Sequence, residues 1–179
     1  MGTANQIEQE LMNYISDHKI RNTHSHHLPE QAMVDFDLDK LINNTYLQWQ
    51  QVTPGTTAES RNAYLEKTRY KSYFVWLQKA IGELYGISEP ITAQNWDQIS
   101  DQIRKAHQNP GFYMDVLKNK CKYQKVIVDT YWNPGSDNGR PELFTPAFRL
   151  DLFFLGYKKG LRNHDGVSLE ENFGELPDN

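Results

Sequence analysis

The sequence predicts a mixed α/β fold in which about three short parallel strands are interrupted, after the first, by a long helical segment. Three observations carry that prediction. Val126, Ile127 and Val128 are consecutive, β-branched and apolar, the mark of a strand buried on both faces as in a parallel sheet. The roughly one hundred residues before them run mostly at helical period. Polar residues able to do chemistry gather at the ends of the strand-like segments, where open α/β sheets and β/α barrels hold their sites. A chain of 179 residues has room for one such domain with a real core.

The elements follow in order. Ile7, Leu11, Tyr14 and Ile15 recur at helical spacing and predict an amphipathic helix ending near Asp17 or His18. Lys19 to His24 reads as a short strand. After Pro29, "DLDKLINNTYLQWQQV" returns to helical texture, and "TPGT" at Thr53 to Thr56 breaks it. The strongest periodicity predicts one helix from Ser60 to Tyr85, with Tyr70, Tyr73, Phe74, Leu77, Ile81 and Leu84 as its apolar stripe and Gly86 as terminator. Thr92 is placed to cap a helix in which Trp96, Ile99 and Ile103 share a face, and "NPG" at Asn109 to Gly111 stops it. A short helix from Phe112 to about Lys120 leads into the Val126–Val128 strand. The last strand is expected in "LFTPAFRLDLFF", with Pro146 near its start. From Arg162 onwards the tail, His164 included, reads as loop.

Composition removes several function classes. A net charge of -4 and a pI near 5.8 give no basic face for nucleic acid. The densest basic run, "KNKCKYQK" from Lys118, reads as a solvated helix end. Cys121 is the only cysteine, so neither an intrachain disulfide nor a cysteine-ligated metal site can form, which suits a reducing cytoplasm. The first residues are acidic and amphipathic where a signal peptide would be basic and then apolar. Mean hydropathy is -0.75, polar for a compact enzyme, and no apolar run approaches the length that spans a bilayer. A cytoplasmic, membrane-free protein is the expectation.

The chemistry concentrates in "NTHSHHLPE", Asn22 to Glu30. Residues two apart on a strand face the same way, about 6.6 Å apart along it, so His24 and His26 can converge on one ion while His27 faces the other side. Neutral imidazole is the commonest metal ligand, and zinc takes three or more protein ligands. The alternative is a polar loop beside Pro29 in which histidines cluster without purpose.

With those residues in view, the chain resembles the amidohydrolase superfamily, metal-dependent β/α-barrel enzymes whose first strand ends in His-x-His, and within it the uronate isomerase-like branch. "NTHSHHLPE" is similar to the first-strand motif. "YFVWLQKAIGELYGI" followed by "ITAQNWDQI" resembles the helical insertion between strands one and two. "KVIVDTYWNPG" resembles the second strand with its loop, and "TPAFRLD" the third. The resemblance implies that residues 1–179 are the N-terminal part of one partial TIM-type (β/α) barrel, with the helical insertion at roughly 35–122. It implies that His24 and His26 hold a divalent metal, zinc by expectation. It also places Arg149, Asp129 and Trp132 at the mouth of a substrate pocket, with Tyr131 and Asn133 beside them.

The activity so implied is hydrolysis, with metal-activated water attacking an amide, ester or related bond of a small-molecule substrate. Arg149 has two readings: a fork for a substrate carboxylate, or an ion pair with Asp151 or a neighbour. The isomerases carry paired aspartates where Trp132 and Asn133 stand, and Arg-Pro-Asp where "RLD" stands. Uronate isomerisation is therefore the alternative to hydrolysis, and a non-catalytic truncated fragment is a third. An unpaired sheet edge and an uncovered apolar face would make the chain self-associate, as a homo-oligomer or less specifically.

Overall fold

A computed structural model describes residues 4–50, 53–155, 159–163 and 166–174. It is a mixed α/β structure with a three-stranded parallel sheet in the order β1-β2-β3, where β1 is Ile20–Ser25, β2 Tyr123–Val128 and β3 Phe144–Pro146. Among the described residues no helix is long and apolar enough to cross a membrane. The chain divides into two compact units, one of residues 1–29 with 117–179, the other Glu30–Val116.

The first unit holds the sheet. Val126, Val128, Leu143 and Phe144 are fully buried, and Leu117 and Leu169 are buried. Ile127, between them, is 38% exposed. The run Val126–Val128 is therefore buried on one face only, because successive side chains leave a strand on opposite sides. Helix α1, Ala4–Asp17, forms where the periodicity puts it, yet Ile7, Leu11, Tyr14 and Ile15 are all exposed. Two predictions fail toward the C-terminus. β3 is only three residues long, with Pro146 at its end, and "DLFFL" is helix α7, Asp151–Leu155. The tail contains helix α8, Leu169–Phe173, opened by a capping box in which Ser168 and Glu171 satisfy each other's backbone N–H. His164 and residues 175–179 lie outside the described residues.

The second unit is helical, with its own core. Its helices are α2 (Leu38–Asn43), α3 (Ala58–Thr68), α4 (Ser72–Tyr85), α5 (Trp96–His107) and α6 (Phe112–Asp115). Leu38, Ile42, Leu47, Tyr64, Phe74, Ile81, Trp96, Ile99 and Ile103 pack together in it. The long helix predicted from Ser60 to Tyr85 is in fact two. α3 stops at Thr68, whose carbonyl accepts the Lys71 N–H at 2.8 Å in a turn. That turn takes Tyr70 and Tyr73 out of the stripe: Tyr70 is 81% exposed, while Phe74 and Ile81 remain buried. Gly86 does terminate α4, in the left-handed conformation at φ 69° that glycine adopts without steric cost. Thr92 does not cap α5: the N-cap is Asn95, and Thr92 lies in the turn before it, where its N–H and its hydroxyl both donate to Asn95 Oδ1.

A pH dependence is built into this unit. His107 Nε2 pairs with the Tyr85 hydroxyl at 2.8 Å and is ringed by Phe36, Tyr85 and Phe112. Burial pushes the Tyr85 phenol up to about 12 and lowers the pKa of His107 below the ordinary histidine value. Between the lowered value and about 6.5 the unfolded chain binds more protons than the native one, so stability rises with pH across that window. Urea denaturation midpoints are expected to fall from pH 7.5 to pH 5.5. His107→Gln is expected to flatten that slope, and an unchanged slope in the variant would count against the assignment. In the first unit, His27, lowered by burial and then by the charge of His26, acts in the same direction.

Candidate metal centre

The backbone of β1 is irregular just where the first ligand candidates sit. Asn22 is opposite Val126 and Ser25 opposite Val128, so three steps along β1 match two along β2. An extra residue of this kind bends a strand and re-aims its side chains. Asn22 steadies the irregularity, its Oδ1 accepting the His24 backbone N–H at 3.1 Å. The imidazoles of His24 and His26 meet edge to face, with centroids 5.0 Å apart.

Asp129, the residue after β2, closes the group. Its N–H donates to the Ser25 carbonyl at 2.9 Å, which carries the ladder one residue beyond Val128. Its own carbonyl accepts from His26 Nδ1 at 2.7 Å. A carbonyl only accepts, so the bond keeps the His26 proton on Nδ1 and leaves the lone pair on Nε2. A partner on one ring nitrogen fixes the tautomer that leaves the other nitrogen for a metal; the Asp129 carboxylate oxygen Oδ2 lies 3.9 Å from this same Nδ1. One ligand atom each from His24, His26 and Asp129 lie within 4.8 Å of one another. Two imidazole nitrogens and a carboxylate oxygen fit a divalent first-row ion, zinc among them.

The other predicted residues come to the same place. Arg149, in the segment after β3, donates from Nε and Nη2 to the Asp129 oxygen Oδ2 at 2.8 and 2.7 Å. Its guanidinium carbon lies 4.9 Å from the centroid of the Tyr131 ring. Of the two readings open for Arg149, the ion pair is the one seen, with Asp129 as partner. Asp151 instead accepts from Asn163 Nδ2 at 3.0 Å. Asp129, expected at the pocket mouth, is only 3% exposed. Trp132 is exposed, its ring 6.4 Å from that of His26 and 4.8 Å from Tyr131. Asn133 contributes backbone only to the described contacts, closing a turn with Thr130 through its N–H and its carbonyl, each at 2.8 Å. His27 packs against Phe144, centroids 5.4 Å apart.

Three supporting residues escaped the sequence reading. Asn22 shapes the strand irregularity, buried Thr130 closes the loop after β2, and Asn138 Nδ2 ties that loop to the His27 carbonyl at 2.8 Å. The available signal was local chemistry: Asn and Thr side chains readily bond nearby backbone. A scan against protein-family models finds no match to the chain, and a search of curated proteins finds none either.

Proposed function

We propose that this chain holds a divalent metal on His24, His26 and Asp129 and serves a metal-dependent hydrolase of the amidohydrolase type. The observation that carries the reading is the convergence of three ligand atoms within 4.8 Å at the C-terminal ends of two adjacent parallel strands. On this reading the three strands open a β/α barrel, whose sites lie at that end of the strands. A bound divalent ion would supply Lewis acidity, polarising a substrate carbonyl and making water a better nucleophile near neutral pH.

The chain's own residues do the positioning. The Asp129 carbonyl holds the His26 ring in one tautomer, and Arg149 keeps the Asp129 carboxylate paired. Trp132 and Tyr131 give the site an aromatic wall on the His26 side, suited to excluding water from one flank of a small-molecule substrate. A reducing cytoplasm fits the lone Cys121.

The test is metal content. Wild-type protein, His24→Ala and His26→Ala are purified, loaded with zinc and dialysed, then measured by elemental analysis. The wild type is expected to retain about one equivalent and each variant far less, since loss of a primary ligand exceeds the roughly 10–100-fold effect of losing an outer partner. Equal metal in all three would remove the ligand assignment. Release of product from amide or ester substrates, dependent on added metal, tests the hydrolase half of the proposal.

A further inference from the structure

We infer that Arg149 is a positioning residue of this metal centre: it holds the Asp129 carboxylate oriented beside His24 and His26, and is not a receptor for a substrate carboxylate. The inference rests on the metal-centre reading and deepens it.

Asp129 is fixed at three points. Its N–H is tied to Ser25 and its carbonyl to His26, which set the backbone. Arg149 then sets the side chain, because Nε and Nη2 both fall on Oδ2. Oδ2 is also the oxygen that lies 3.9 Å from His26 Nδ1, while Oδ1 accepts from neither of the two arginine nitrogens. A carboxylate gripped at one oxygen by a charged fork keeps its other oxygen for a further cation. Tyr131 lies against the guanidinium, and a ring face favours a cation in that position. Drawing Arg149 away to a substrate carboxylate would strip a buried anion of its partner, so the arginine is committed inward. A fork also differs from a point charge: lysine would neutralise Asp129 without fixing its rotation.

Cobalt(II) titration of the 179-residue protein, followed by visible absorption, tests this with Arg149→Lys, Arg149→Gln, Asp129→Asn and the double variant Asp129→Asn/Arg149→Gln. Arg149→Gln is expected to weaken cobalt binding by about 10–100-fold, with Arg149→Lys in between. The double variant is expected to bind no more weakly than Asp129→Asn alone, because Arg149 acts through that carboxylate. A general structural defect would instead add to the Asp129→Asn loss. Unchanged affinity and an unchanged visible band in the Arg149 variants would overturn the inference, as would additive losses in the double variant. Should Arg149→Gln lose its native near-UV circular dichroism, Arg149→Lys decides on the same criteria. A wild type that binds no cobalt removes the metal centre and this inference together, whereas a binding wild type with indifferent Arg149 variants removes the inference alone.

Discussion

Trp96→Ala is expected to destabilise the helical unit by about 3–5 kcal/mol, the range for deleting a fully buried large aromatic side chain. Trp96 is completely buried at the start of α5. Tyr64 meets it edge to face at 6.2 Å, and the Arg61 guanidinium carbon lies 5.4 Å from the ring centroid. Its indole N–H donates to Asp39 Oδ2 at 3.4 Å, and burial raises the pKa of that carboxyl despite the bond. Alanine would therefore leave both a cavity and a partly buried acid without its donor. Trp96→Phe, which keeps apolar volume and loses the N–H, is expected to cost clearly less. Urea denaturation followed by far-UV circular dichroism separates the two, and similar midpoints for wild type and Trp96→Ala would show that this ring does not organise the core.

Arg149→Met is the second large effect. Asp129 is almost fully buried, and breaking a buried pair by removing one partner typically costs about 3–5 kcal/mol, because the remaining charge has neither water nor a counter-ion. Asp129→Leu/Arg149→Met removes both charges, and such paired replacements are often neutral or better. Metal-free protein is expected to be far less stable as the single variant than as the double. Comparable stability in the two would mean that the pair is relieved by water in solution and that the buried charge imposes no strain. Read without metal, this experiment concerns folding; the cobalt titration concerns ligation.

The two histidines of the candidate site were legible because their signal is short-range. His24 and His26 are two apart, whereas the resemblance marks Asp129 only for the mouth of a substrate pocket and not as a companion of the two histidines. What the sequence hid depends on distant partners. The extra residue in β1 exists only in relation to Val126 and Val128, about a hundred positions away along the chain. The turn after Thr68 carries no glycine or proline, so helical period alone ran α3 and α4 together. In the tail, Ser168 and Glu171 did stand at capping-box spacing. That helix is short, and the absence of apolar periodicity concealed it. Arg149 was legible as a residue and ambiguous as a role, because pairing with Asp129 requires β2 and β3 to lie side by side.

The irregularity between Asn22 and Ser25 makes the centre vulnerable to a change that alters no ligand at all. Strands keep their faces by counting in twos, and here the count is deliberately out of step by one before the second histidine. Removing Thr23 would delete an unremarkable exposed side chain and leave His24, His26 and Asp129 in the protein. It would also remove the extra residue between Asn22 and Ser25 while leaving the opposite shift between Ile20 and Arg21, and so change how both imidazoles are presented to Asp129. For this stretch, segment length is a stricter requirement than residue identity, and a one-codon deletion is expected to do more harm than most substitutions.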